Sequence, residues 1–392
     1  MWNEELENKL YDEVIPKLKQ DIFELNDFMA CNPELGSYEF ESAARIVQLM
    51  RKYGLEVEYP FSGLETAFKG VINPGKGKKA AFLVEYDALP EIGHACGHCA
   101  SGMASVLAGL ALNHVKDELD IQIDIIGTPD EEMTGAKCHM ADLHVFDGYD
   151  FAAMVHMGGI NTVEVDFIAL DGMTFQFKGR PAHAARNPQA GRNALNAARL
   201  LFDSVDMMRQ HIIPEARIHG YIKNGGVASN IVPDFTEVEF LTRAPKREEL
   251  SDITAWVQDC ARAASLATRT EVKIAPLGAP YHELYISEGG RALLTECFEE
   301  LDQELCCEKG SFVGSSDVGN VDYVCPAFQP IVSIGQKFDV HTVEFGEAMT
   351  DPRTHQAIVN GAKLLLKLTS KLYGDPYRLA SIKAEHKAYR GY

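Results

Sequence analysis

The stretch AAFLVEYDALPEIGHACGHCASGMASVLAGLALNHVKDELDIQIDIIGTPDEE, residues 80–132, decides the fold of this chain. Its apolar runs at residues 80–86 and 121–127 have the length and composition of buried strands. The segment between them, residues 101–115, is rich in Ala, Leu and Gly and is predicted to be a helix, and a third strand-like run follows at residues 151–156. This alternation of strands and helices predicts an α/β sheet with helices packed on it.

A different pattern follows and predicts a second domain. Alternating polar and apolar residues at 163–178 indicate a β-hairpin that turns near Asp171-Gly172. A helix, two strands, a helix and a strand come next, which is the split βαβ order of an α+β ferredoxin-like domain. The chain then returns to the α/β pattern. We therefore expect an inserted domain of residues 171–281 within a larger α/β domain made of residues 1–170 and 282–392.

The charge balance limits the kinds of partner. The chain has 392 residues, with 37 Lys and Arg against 57 Asp and Glu, and its formal net charge is −20. Binding to nucleic acid or to an anionic membrane needs clusters of basic residues, and the sequence offers none. We therefore expect a small-molecule substrate, with no nucleic acid and no membrane as partner.

The sequence also predicts a cytoplasmic location. No stretch of 18 apolar residues is present, so no membrane span is expected. The first residues, MWNEELE, are acidic where a secretory signal would be basic and then apolar. The nine cysteines are an odd number without the spacing of a disulfide framework, which is typical of a reduced protein.

The first motif with chemical potential is Cys96-Gly97-His98, in the loop between the first strand and its helix. Loops at the carboxyl ends of strands in open α/β sheets are where ligands bind. Gly97 allows a tight fold that aims a thiolate and an imidazole at one point, as a zinc site requires. The same stretch supports a competing interpretation, because Cys96 and Cys99 form the C-x-x-C pattern of thiol–disulfide oxidoreductases.

Further metal-binding residue types at later strand ends favour the metal interpretation. Glu131 and Glu132 follow the second strand, His156 ends the third, and His341 lies in a loop after a strand near the carboxyl terminus. One carboxylate of an adjacent pair can bind a cation while its neighbour acts as a general base. With Cys96 and His98, these residues place potential ligands at four strand ends.

The order of these motifs resembles the M20 metallopeptidases, and within them the amidohydrolase subfamily with aminobenzoyl-glutamate hydrolase and related dipeptidases. The resemblance extends from Pro33 to about Leu372. It rests on the segments Glu85–His98, Glu131-Glu132, His156, Phe177–Ala185, Gly191–Leu195, Asn230–Asp234, Thr242–Pro245, Ser316–Val321 and His341–Phe345.

The resemblance implies a catalytic α/β domain of zinc-peptidase type and an inserted lid or dimerisation domain. It also implies two divalent metal ions per subunit. The donor types suit Zn or Mn, with Co as a further option. The implied ligands are Cys96, as the bridging ligand, with His98, Glu132, His156 and His341.

The resemblance further assigns roles around the metals. Glu131 would be the general base, and His183 of the lid would stabilise the oxyanion in the active site of the partner subunit. Asn230 and Arg243 would hold a substrate carboxylate. The sequence departs from the family at Cys99, where relatives usually carry Asp or Asn, an acid that could orient a ligand.

We therefore predict a metal-dependent hydrolase for the amide bond of N-acyl amino acids, aminobenzoyl-amino acids or dipeptides with a free carboxylate. The exposed strand edges of the inserted domain predict a homodimer through this domain. Two alternatives stay open at this point: a thiol–disulfide oxidoreductase that uses Cys96 and Cys99, and an inactive homologue that serves as a binding subunit.

Overall fold

The computed structural model describes residues 2–163, 165–306 and 313–391. The chain divides into two compact units, the first formed by Met1–Asp166 with Leu284–Tyr392 and the second by Phe167–Glu283. None of the described helices combines the length and the apolar character that a membrane span requires.

The α-helices are, in chain order, α1 (Glu4–Lys9), α2 (Ile15–Cys31), α3 (Phe40–Lys52), α4 (His98–His114), α5 (Ala136–Asp142), α6 (Ala194–Met208), α7 (Arg247–Thr268), α8 (Glu288–Glu300), α9 (Val318–Asp322), α10 (Val343–Glu347), α11 (Pro352–Gly374) and α12 (Pro376–Arg390). A π-helical turn at Leu10–Val14 separates α1 from α2. Short 3-10 turns occupy Lys116–Glu118, Pro188–Ala190, Arg209–His211 and Ala348–Thr350.

The strands are β1 (Glu56–Glu58), β2 (Phe68–Ile72), β3 (Lys79–Val84), β4 (Gln122–Gly127), β5 (Phe151–Ala153), β6 (His156–Gly158), β7 (Asp166–Phe167), β8 (Ala169–Lys178), β9 (Arg217–Asn224), β10 (Phe235–Ala244), β11 (Glu271–Pro276), β12 (Val313–Gly314), β13 (Ala327–Phe328) and β14 (Ile331–Ser333).

The main sheet of the first unit has the strand order β1-β2-β4-β3-β5-β13. Strands β4, β3, β5 and β13 are parallel neighbours, whereas β1 and β2 are antiparallel. Residues 80–84 of β3 are all buried, as expected for a parallel strand covered on both faces. Because β3 and β4 run in the same direction, the loops that follow them open at the same edge of the sheet.

The predicted strand at residues 151–156 is two strands in the structure. Its first half, β5, joins the main sheet beside β3. At His156 the chain enters β6, which pairs in parallel with β14 in a separate two-stranded sheet. His156 therefore lies where the chain leaves the main sheet, close to the edge at which the β3 and β4 loops open.

The second unit is a four-stranded antiparallel sheet with the order β11-β8-β10-β9, against which α6 and α7 pack. This order, with two helices in the connections, is the ferredoxin-like arrangement. The α/β class of the larger unit and the α+β class of the inserted unit are both confirmed.

The predicted hairpin at Asp171-Gly172 is wrong, because β8 runs without interruption through both residues and pairs with β10 and β11. Asp171 forms a bidentate ion pair with Arg247. Arg247 Nη1 donates to Asp171 Oδ1 at 2.8 Å, and Nη2 donates to Oδ2. At Gly172 an added Cβ would lie 2.2 Å from the Leu277 carbonyl oxygen. The Asp-Gly pair therefore forms no turn. The aspartate is buried in an ion pair, and the glycine allows close packing of neighbouring backbone.

Helix α4, which begins at His98, lies unusually close to the end of β3. At Gly102 an added Cβ would lie 2.1 Å from the carbonyl oxygen of Glu85. The absence of a side chain at this position thus sets how closely the start of α4 approaches the strand end.

We expect Gly102→Ala to lower the free energy of unfolding by about 1–3 kcal/mol, because overpacking against backbone forces the helix away from the strand. Alanine's better helix propensity offsets about 1 kcal/mol of the steric cost. The measurement is urea denaturation followed by circular dichroism, with Gly77→Ala as the control, since a Cβ at Gly77 meets nothing within 4 Å. Equal midpoints for the two variants would contradict this view of the packing.

Candidate metal centre

Residues from four distant parts of the chain converge at one edge of the first unit. Cys96 precedes α4 and His98 is its first residue, while Glu131 and Glu132 lie in the turn after β4. His156 opens β6, and His341 lies in the loop between β14 and α10. The parallel pairing of β3 with β4 brings the first two of these segments together.

The Cys96 sulfur lies at the centre of this group. Its Sγ atom is 3.5 Å from His156 Nε2 and 3.3 Å from His341 Nε2. His341 Nε2 is in turn 3.6 Å from Glu132 Oε1. Two overlapping sets result, Cys96 with His98 and His156, and Cys96 with Glu132 and His341, and in each set the donor atoms lie within 4.8 Å of one another.

These separations fit the requirements of a metal site. Two ligands bound to one ion at about 2.0–2.3 Å in tetrahedral geometry are about 3.5 Å apart. The ring atom His98 Nε2 is buried. It lies 3.5 Å from Glu85 Oε2, and His98 offers a donor atom within 4.8 Å of those of Cys96 and His156. A thiolate, three imidazoles and a carboxylate are the donor types that zinc and similar divalent ions accept.

The buried carboxylate of Asp87 orients donors from both sets. Asp87 Oδ1 lies 2.7 Å from His98 Nδ1, which leaves His98 Nε2 for a cation. Asp87 Oδ2 accepts a hydrogen bond from the backbone N–H of Glu132 at 2.9 Å. Burial raises the pKa of Asp87, but the charge and hydrogen bond of His98 outweigh it, so the net shift of this pKa is downward. Partners of this kind fix the ring orientation of metal ligands.

The two other histidines are fixed by backbone contacts. His156 Nδ1 lies 2.8 Å from the carbonyl oxygen of Met157, which directs Nε2 towards Cys96. The backbone N–H of His341 donates to the Ala95 carbonyl oxygen at 2.7 Å, which ties its loop to the Cys96 loop. His341 has a φ of 65°, so this loop turns sharply at the histidine itself.

Glu131 lies beside the metal-binding group and also beside two other carboxylates. Oxygen atoms of Glu131, Glu85 and Asp317 lie within 4.8 Å of one another, and so do donor atoms of Glu131, Glu132 and His98. Burial, followed by the charges of Asp317 and Glu85, raises the pKa of Glu131 well above its ordinary value. A perturbed carboxyl group beside a donor cluster of this kind is a candidate for proton transfer.

The environment of Cys99 does not favour the thiol–disulfide alternative. Cys96 and Cys99 are both free, and Cys99 packs in the hydrophobic core of the first unit. Burial raises the pKa of Cys99 to about 12, whereas thiol–disulfide exchange needs an acidified thiol. The orienting partner of His98 is Asp87, so Cys99 is not needed to orient this ligand.

The three remaining predicted residues belong to the second unit. His183 Nδ1 accepts hydrogen bonds from the backbone N–H groups of Ala185 and Arg186, at 3.3 and 3.2 Å. The proton of a neutral ring is then on Nε2, which makes that atom a donor. Asn230 lies beside the segment that carries His183, because its backbone carbonyl oxygen accepts a hydrogen bond from the Ala184 N–H at 3.0 Å. Arg243 lies on β10.

Sequence reasoning gave no role to Asp87, Glu85 or Lys137. Asp87 and Glu85 were detectable as acids directly after a buried strand, the place where ligands and their partners concentrate. Nothing in the sequence indicated a role for Lys137, because lysines are rarely buried and a lone lysine predicts a solvent-exposed side chain.

Comparison with known proteins identifies the family to which this chain is similar. Residues 169–269 match the peptidase dimerisation domain of the M20 family. The chain is 32% identical over 377 residues to the Xaa-Arg dipeptidase of Mus musculus, which covers 93% of this chain and 83% of that protein. It is 31% identical over 290 residues to one of the subunits of the p-aminobenzoyl-glutamate hydrolase of Escherichia coli (strain K12), covering 68% of this chain and 59% of that protein.

Solved structures share the fold. The aminobenzoyl-glutamate utilization protein from Klebsiella pneumoniae superposes with a TM-score of 0.74 at 18% identity, covering 92% of this chain and 98% of the other. A dinuclear metal binding peptidase of the M20 family from Bacillus subtilis gives 0.65 at 17% identity, covering 90% and 99%. From its sequence similarity over nearly its whole length, the chain belongs to the M20 family of peptidases and amidohydrolases.

Proposed function

We propose that this enzyme hydrolyses the amide bond of dipeptides or N-acyl amino acids that carry a free carboxylate. The observation that carries the proposal is the Cys96 sulfur shared by two donor sets, with the Glu131 carboxylate beside them. Relatives named Xaa-Arg dipeptidase and p-aminobenzoyl-glutamate hydrolase support this substrate class. An inactive homologue is disfavoured, because every predicted donor and Glu131 are present.

The proposed cofactor is a pair of divalent cations. Cys96, His98 and His156 would hold one, and Cys96, Glu132 and His341 the other. When bound, the cations supply Lewis acidity for the carbonyl and favour ionisation of water at neutral pH. The mixed donor set suits Zn or Mn, with Co as a further option.

Glu131 would move the proton in this reaction. As general base its carboxylate accepts a proton from the attacking water, and it then passes that proton to the nitrogen of the leaving amine. Its position supports this role, because oxygen or nitrogen donor atoms of Glu131, Glu132 and His98 lie within 4.8 Å of one another.

The second unit would act as lid and dimerisation domain. The Nε2 proton of His183 is suited to donate to the tetrahedral oxyanion in the partner subunit, and Asn230 and Arg243 would hold the substrate carboxylate. Strand β9 forms one edge of this sheet, and seven of its eight residues are exposed. An open edge of this kind supports pairing with a second copy of the chain.

Metal removal is expected to abolish hydrolysis. The test screens dipeptides ending in Arg or Lys, acetyl- and benzoyl-amino acids, and aminobenzoyl-glutamate, before chelation, after it, and after return of Zn²⁺, Mn²⁺ or Co²⁺. Cys99→Ser is the control, since a thiol–disulfide enzyme would lose function in this variant and ignore the chelator. Turnover that is indifferent to both chelation and metal return would overturn the proposal.

Glu131→Gln is expected to keep its metal ions and lose about 10²–10⁴ in kcat, the usual contribution of a general base. The amide has nearly the same size as the carboxylate but cannot accept the proton. Steady-state kinetics and metal analysis measure the two effects, with the exposed Glu13→Gln as a matched control. Full turnover by Glu131→Gln would remove this residue from the mechanism.

Mixed dimers test whether His183 acts across subunits. Light scattering should give twice the chain mass of 43.3 kDa. His183→Ala alone should lose about 10²–10³ in kcat, as for other oxyanion donors. Unfolding and refolding an equal mixture of His183→Ala and Glu131→Gln should restore roughly a quarter of wild-type activity, because half the dimers then contain one intact site. A monomeric mass, or no recovery in a mixture shown to contain heterodimer, would contradict the assignment.

A further inference from the structure

A buried ion-pair cluster lies behind the proposed general base. The Lys137 ammonium is 2.6 Å from Glu85 Oε1 and 2.6 Å from Asp317 Oδ1, and all three side chains are fully buried. The backbone N–H of Lys137 also donates to Asp317 Oδ2, at 3.0 Å. Glu85 directly follows β3, Lys137 lies in the first turn of α5, and Asp317 directly precedes α9, so the cluster joins three separate elements.

The cluster includes Glu131. Its carboxylate and those of Glu85 and Asp317 have oxygen atoms within 4.8 Å of one another, a spacing at which three acids could hold a metal ion. In this protein the chain itself supplies a positive charge there, the ammonium of Lys137. The set is still rich in negative charge, with three carboxylates around one lysine.

The position of Lys137 is rigidly linked to that of Glu131. The turn after β4 is closed by a hydrogen bond from the Gly135 N–H to the Asp130 carbonyl oxygen at 2.8 Å. Helix α5 begins at the next residue, and Lys137 is its second residue. Glu131 and the ammonium are therefore on the same short segment, with Glu85 and Asp317 reaching it from outside.

We infer that Lys137 is a positioning residue for Glu131. Its ammonium holds together three carboxylates that would otherwise repel one another, and so keeps the Glu131 carboxylate directed at the metal centre. The inference rests on the proposed role of Glu131 as general base. It adds a residue with no predicted contact to a metal or to substrate.

The physical reason is the low screening of buried charges. Like charges a few ångströms apart in a protein interior interact far more strongly than at the surface. Removing one partner of a buried ion pair leaves an uncompensated charge, which the surrounding structure accommodates by moving the groups apart. Without Lys137 the least buried acid of the three, Glu131 on the turn after β4, would leave its position.

The test compares Lys137→Met with the double variant Lys137→Met/Asp317→Asn, in which one negative charge is removed together with the positive one. Lys367→Met is the matched control. Lys367 lies on helix α11 and is also buried, and its ammonium is 2.6 Å from a carboxylate oxygen of Glu7. The measurements are kcat and KM on a substrate found in the screen, metal content, and the urea midpoint of the chelated proteins.

Lys137→Met is expected to lower kcat by about 10²-fold, towards the loss of the base itself, with KM and metal content near those of the wild type. The double variant should have a kcat at least about tenfold higher than that of Lys137→Met, because one of the excess negative charges has been removed. In chelated protein, the urea midpoint should fall in Lys137→Met and rise again in the double variant. Lys367→Met should lose stability and keep its kcat.

The inference is overturned if Lys137→Met has wild-type kcat, or if the double variant is no more active and no more stable than the single one. Should Lys137→Met not fold, the double variant decides: it must fold and exceed Glu131→Gln in kcat. Failure of the proposed function has a different signature, namely wild-type protein inactive on the whole panel or Glu131→Gln with full turnover.

Discussion

The organisation of this metal centre depends on one buried carboxylate, Asp87. One of its oxygens meets the imidazole of His98 and the other accepts the backbone N–H of Glu132. These contacts connect the segment after β3 with the segment after β4, and each segment supplies a donor to a different one of the two proposed cation sites. The parallel pairing of β3 and β4 makes the connection short, and Asp87 fixes its geometry.

Much of this arrangement could be predicted from the sequence, because it follows from local rules. Apolar runs with the length of strands, a helix between them, and polar residues at successive strand ends together indicate where Cys96, His98 and Glu131 lie. The strand at residues 151–156 was predicted at the right place, but not its division at His156. That division depends on pairing with β14, which is far away in the sequence and leaves no local signal.

The features that sequence reasoning missed are those in which tertiary contacts reverse a residue's usual behaviour. Asp171-Gly172 has the composition of a turn, but Arg247 neutralises the aspartate and the glycine allows a close approach of neighbouring backbone. A lysine such as Lys137 is usually found at the surface, but the ion pairs with Glu85 and Asp317 make its burial favourable. In both places a long-range ion pair outweighs local propensity, and no pattern within one segment could reveal it.

The ion pairs of Lys137 explain how so acidic a site can exist in the folded protein. Glu85, Asp87, Glu131, Glu132 and Asp317 bring five carboxylates close together, and the basic groups that face them include Lys137, His98 and His341. Buried carboxylates without cations are costly, so the chain compensates the cluster in two ways. Around Glu85 and Asp317, Lys137 supplies a covalently attached cation. On the side of Cys96 the chain offers ligands instead, and the charge that bound metals bring would complete the compensation and add to folding stability. Glu131 lies between these two regions, because its oxygens are close both to Glu85 and Asp317 and to His98 and Glu132.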